Sequence, residues 1–157
     1  MKIRSVISNN RRKEFTVVTH SGVTYTFPYS KADPAPTADD RLAEVYVDKE
    51  LGNEAFTYIF GSGEEGSVHI EHVLEYNKDP KYLAELLVYK LTLEAQEGIA
   101  GSGLSMRQIA KRLKTSVPQL YRLLDSANTR KSMSQLITLL HVLNCDVEVI
   151  VKKKMAA

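Results

Sequence analysis

The side chains of this chain best equipped to recognise another molecule lie in residues 104–124, LSMRQIAKRLKTSVPQLYRLL. Arg122 offers a fork of donors that fits two neighbouring acceptors. Gln119 has an amide that donates and accepts at once, and Tyr121 has a hydroxyl on a flat ring. Arg107, Lys111, Arg112 and Lys114 surround them, with Arg130 and Lys131 a little further on. From Gly103 to Lys131 seven Lys and Arg meet a single acid, Asp125. Such a set suits a polyanion carrying patterned edges, with cations holding phosphate while Arg and Gln read bases.

Groupings that spell catalysis or metal binding lack the spacing those chemistries need. Gly61-Ser62-Gly63-Glu64-Glu65-Gly66 matches the dinucleotide fingerprint by letter. That fingerprint requires a helix after its glycines, and here a strand pattern follows, with two glutamates where phosphate would sit. His69 and His72, read on one strand, fall on opposite faces. Asp39-Asp40 and Glu64-Glu65 are neighbours in loops, and no Ser, His and Asp set accompanies them. The lone Cys145 excludes an intrachain disulfide and points to a buried thiol in a reducing compartment. The expectation is therefore a protein that is not an enzyme and holds no cofactor and no metal.

The elements that must position the recognition residues are legible locally. Ser105 is an N-cap and Gln108 completes a capping box. Ile109, Ala110 and Leu113 then make one apolar stripe on a short helix. Lys114-Thr115-Ser116 interrupts the pattern, and Ser116 caps a second helix. Pro118 sits in its first turn, where a missing N–H costs nothing, and Gln119 allows a second capping box. Leu120, Leu123 and Leu124 form the facing stripe. Ala110 is small where two steeply crossing helices must approach. These are the requirements of a helix-turn-helix, whose second helix lies in the major groove.

Those residues resemble the lambda-repressor-like (Cro-type) helix-turn-helix family. The resemblance extends over about half the chain, with Pro80 to Gly98 as a first helix and Met133 to Leu143 as a later one. A terminal strand over Asp146–Lys152, DVEVIVK, is similar to bacterial repressors of the antitoxin type. It implies base contacts from Val117, Pro118, Gln119 and Arg122, with Arg122 placed for guanine and Gln119 for adenine. It implies phosphate contacts from Arg107, Lys111, Arg112, Lys114, Tyr121, Arg130 and Lys131. Pro118 also reads as a helix starter, and Gln108 as a cap. Two positions depart from the family. Lys114 stands where glycine usually turns left-handed, costing on the order of 1 kcal/mol if that conformation is kept. Met106 stands where a glutamine often touches the DNA backbone.

Cutting the chain sharpens the charge argument. The 157 residues carry a net charge of +2. Residues 1–77 hold eight Lys and Arg against twelve Asp and Glu, or −4, and residues 78–157 hold thirteen against seven, or +6. Only the second part is suited to a polyanion. The predicted fold class is α+β: a small β-rich domain over 1–77, then an all-α helix-turn-helix domain over 78–157 with a short C-terminal strand. The seam is placed at Tyr76–Pro80. In the first domain Glu14–His20 and Val23–Tyr29 flank a Ser21-Gly22 turn as a hairpin. Lys31–Asp40 reads as a loop, and Ala43–Val47 as a strand or short helix. Ala55–Phe60 and Ser67–Leu74 read as a second hairpin. Residues 82–93 are apolar on nearly every helical face, which exceeds the need of one core. The polar N-terminus and the absence of a long apolar run predict neither a signal peptide nor a membrane span, hence a cytoplasmic protein.

Three functions fit. The first is a sequence-specific regulator of transcription, a bacterial repressor that binds double-stranded DNA as a homodimer. The second is an antitoxin-like protein that binds a partner protein through its β-domain or terminal strand and autoregulates its operon. The third uses the helix-turn-helix for protein contacts alone. The first domain suits a small-molecule effector, a protein partner or dimerisation equally well.

Overall fold

A computed structural model describes residues 1–155. The chain is mixed α+β, and its strands precede its long helices. Strands β1 (Ile3–Asn9), β2 (Glu14–Thr19) and β3 (Thr24–Pro28) form one antiparallel sheet in that order. Strands β4 (Leu42–Val47), β5 (Ala55–Phe60) and β6 (Glu65–His69) form another. Helices α1 (Ile70–Tyr76), α2 (Pro80–Ser102), α3 (Met106–Leu113), α4 (Val117–Leu124) and α5 (Met133–Val142) follow. No helix among the described residues is long and apolar enough to cross a membrane.

The chain divides into two compact units, Met1–Leu83 and the residues from Ala84 onward. In the first unit both sheets and α1 close on one core. Strand β2 buries Phe15, Val17 and Thr19 on alternate positions, the period-two pattern of a one-sided strand. Phe15 meets Tyr29 and Phe56 with ring centroids 4.8 Å apart in each case. Strand β5 is buried on both faces over Ala55–Tyr58. There the Thr57 hydroxyl donates to Asp48 Oδ2 at 2.6 Å and lies 2.8 Å from Ser67 Oγ, so its polar atom is satisfied. Gly66 of β6 lies against the Tyr58 ring, and a Cβ there would overlap the phenol.

Several sequence expectations are corrected in this unit. Residues 67–74 are not one strand: β6 ends at His69, whose Nδ1 accepts from Glu71 N at 3.3 Å and caps α1. Ile70, Val73 and Leu74 are the buried residues of that helix, at helical and not strand spacing. His69 and His72 therefore do not share a strand. Strand β1, not anticipated, hides its alternation because its register shifts between Ile3 and Ser5, leaving Ile3 and Val6 as the buried pair. Residues 43–47 belong to a strand, β4.

The Tyr76–Pro80 stretch is also more structured than a seam. Asn77 Nδ2 donates to Thr26 O at 2.9 Å. Asp79 accepts from Tyr25 Oη at 2.9 Å and from Tyr82 N at 3.0 Å, capping the first turn of α2. Tyr82 packs against the first core. The first unit accordingly runs to Leu83, beyond residue 77, and includes α1 and that first turn.

The second unit is built from helices packed around Val88, Ala95, Ile109, Ala110, Leu120, Leu123, Leu136, Leu139 and Leu140. Gly98 of α2 lets Leu143 pack closely, since a Cβ there would stand 3.1 Å from its Cδ1. The predicted strand over Asp146–Lys152 is absent. Helix α5 closes with Asn144 at φ 61° and Cys145 N donating to Leu140 O at 2.8 Å. The chain beyond has no neighbouring strand among the described residues, and alternation alone cannot make a ladder.

Candidate nucleic-acid interface

The α3–turn–α4 segment is assembled from caps. Ser105 Oγ accepts from Gln108 N at 3.1 Å, and Gln108 Oε1 accepts from Ser105 N at 2.8 Å, so both halves of the box form. Helix α3 ends at Lys114, which holds φ 57° and ψ 44°, the left-handed region, and donates its N–H to Ala110 and Lys111 carbonyls. A lysine thus occupies the backbone conformation that favours glycine. Ser116 Oγ accepts from Gln119 N at 3.3 Å and Pro118 stands in the first turn of α4. Only this hydroxyl half of the second box forms, so the Gln119 amide is not tied to the cap.

Successive residues on a helix turn by about 100°, which sorts α4 into two faces. Leu120 and Leu123 are buried and Leu124 half-buried, while Pro118, Gln119, Tyr121 and Arg122 share the exposed arc. Tyr121 is 58 % exposed. Val117 is half-buried and packs against the core, so it faces away from that arc. On α3 the same geometry puts Arg107, Lys111 and Lys114 on one exposed stripe, with Arg112 beside Gln108 on another. Among the described residues of this unit, no carboxylate forms an ion pair with any Lys or Arg.

Lys131 stands apart from the other cations. Its Nζ donates to the carbonyls of Leu123 and Asp125, each at 2.7 Å, which satisfies the open C-terminal end of α4. Burial pushes its pKa down, against the opposing pull of Asp125. Lys131 is a helix cap, its ammonium already engaged within the chain. Arg130 is exposed, in the turn where its N–H donates to Asn128 Oδ1 at 3.1 Å.

Beside the arc lies an open groove of about 450 Å³, lined by Leu113, Lys114, Thr115, Gln119, Leu123, Gln135 and Thr138. Thr115, Gln135 and Thr138 were not singled out from the sequence. The signal for the α5 side was Ser132 with Gln135 three residues on: Ser132 Oγ accepts from Gln135 N at 3.3 Å and caps α5. The Gly61–Gly66 stretch closes the β5–β6 hairpin, with Phe60 N donating to Glu64 O at 2.8 Å and Gly63 at φ 90°. It precedes a strand, not the helix a dinucleotide needs. Among the described residues no three His, Cys, Asp or Glu are grouped to hold a metal ion. Comparison with protein-family models and with curated proteins finds no match to this chain.

Proposed function

We propose that the second unit is a lambda-repressor-like helix-turn-helix that reads duplex DNA with α4, and that the protein is a transcriptional repressor acting on two half-sites as a homodimer. The observation that carries this reading is the exposed arc of Pro118, Gln119, Tyr121 and Arg122, flanked by Arg107, Lys111, Arg112 and Lys114, none of these cations being ion-paired with an acid among the described residues. Unpaired cations beside a polar helix face suit phosphate anchoring combined with base readout. The left-handed Lys114 supports the same reading, since it keeps the tight turn and adds a charge at its apex.

Arg122 is the reader, through two donors to a guanine edge, and Gln119 reads a neighbouring base. The test is fluorescence anisotropy on duplex DNA from upstream of the protein's own gene, across a salt series. Affinity should fall steeply with salt. Arg122→Ala should lose about 1–3 kcal/mol of binding and relax the preference at one position. Equal affinity for random and upstream duplex at low salt would refute groove reading.

A further inference from the structure

The segment Asp146–Lys154, DVEVIVKKK, alternates like a strand yet has no strand beside it among the described residues. Val149, Ile150 and Val151 are 83 %, 80 % and 87 % exposed. Exposed apolar side chains on a backbone with no ladder partner are what an edge offers to a second chain.

The distribution of charge along the segment selects the occupant. Asp146 and Glu148 stand at its start, and Lys152, Lys153 and Lys154 at its end. A second copy laid parallel would set acid against acid and lysine against lysine. Laid antiparallel, each acid end meets a lysine end, and opposite charges across a ladder favour pairing while like charges oppose it.

We propose that Asp146–Lys152 pairs antiparallel with the same segment of a second copy, about a two-fold axis at Val149. Val149 then faces its own counterpart, Val147 faces Val151 of the second copy, and Asp146 faces Lys152. Because alternate residues share a face, the three valines of both copies form one apolar surface. Centring the axis at Ile150 would pair Asp146 with Lys154 and Glu148 with Lys152 but set Val147 against Lys153 and break the apolar face, and centring it between Val149 and Ile150 would set Val147 against Lys152. The register at Val149 is the one of the three that keeps every valine opposite a valine. Such a contact is isologous and closes at two chains. The inference rests on the homodimer of the reading above but not on DNA, so it is measured without DNA.

The experiment is sedimentation equilibrium on the full chain with Asp146→Lys, with Lys152→Asp, and with both together. The natural chain should be a dimer. Each single reversal should weaken it on the order of tenfold, and the pair should restore it, because lysine then faces aspartate again. As a second readout, Val149→Cys in a Cys145→Ser background should form covalent dimers on mild oxidation. Glu148→Cys, which faces Ile150 of the second copy, should not. A monomeric natural chain, or single reversals that leave the dimer unchanged, would overturn the proposal. A monomer that still prefers the upstream duplex would remove this contact while leaving groove reading intact.

Discussion

The two units put their charged groups to different uses. In the first, with ten Lys and Arg against thirteen Asp and Glu, two of the cations meet acids: Lys2 reaches Glu54 at 3.0 Å and Arg12 reaches Glu14 at 3.9 Å. His69 stands 3.9 Å from Glu54, a pair once the imidazole is protonated. The second unit has eleven Lys and Arg against six Asp and Glu, and none of its described cations is paired with an acid. Exposed ion pairs contribute little to stability, so the difference concerns availability more than strength. Cations left without acids are free to meet a polyanion, which is consistent with the DNA-reading surface proposed above for α3 and α4.

The contrast can be broken most strongly at the first core. Phe15→Ala should cost about 3–5 kcal/mol of stability, read by chemical denaturation. Gly66→Ala should also destabilise that unit, because the Tyr58 ring cannot move aside freely. A phenylalanine core that tolerated either change would undo the account of the first unit as a structural body.

Raising pH should separate the units next. Burial, aided by the hydrogen bond to Asp79, pushes Tyr25 up to about 12, and burial pushes Tyr58 up to about 12 as well. Both lie above the ordinary value of 10.0. A raised folded-state pKa contributes stability that is complete below pH 10 and lost as pH climbs towards 12. Tyrosine circular dichroism of the first unit should collapse in that window, and Tyr25→Phe should flatten the loss.

Lys131 and Lys114 sharpen the comparison inside the second unit. Lys131→Met removes two charge-assisted bonds to the end of α4 and should cost about 1–2 kcal/mol in thermal unfolding. It should leave the salt dependence of DNA binding unchanged. Lys114→Gly should act oppositely. It relieves the left-handed strain, adding up to about 1 kcal/mol of stability, while reducing the salt slope by about one. Equal salt slopes for both variants would mean that the cap and the phosphate contact had been misassigned.

What the sequence revealed depended on how local the cause was. The caps at Ser105 and Ser116, the helices they open and the Ser21-Gly22 hairpin are set by residues within four positions, and they could be read directly. Strand β1 escaped because a register shift breaks its alternation. Residues 67–74 misled because Val68, His69 and Ile70 look strand-like, whereas Ile70, Val73 and Leu74 carried the helical spacing. The fate of Lys131 lay eight residues away, at the Leu123 carbonyl, beyond any local rule. Alternation in Asp146–Lys152 was visible, but whether a strand exists beside it is decided elsewhere in space.

The three lysines that close this segment bear on how the protein behaves when concentrated. A run of alternating valines with free ladder groups is the kind of edge on which strands accumulate without limit. Lys152, Lys153 and Lys154 act as gatekeepers: copies stacked in parallel register would align three like charges at every step. Replacing them with uncharged residues, or screening them at high ionic strength, should promote open-ended aggregation through this segment.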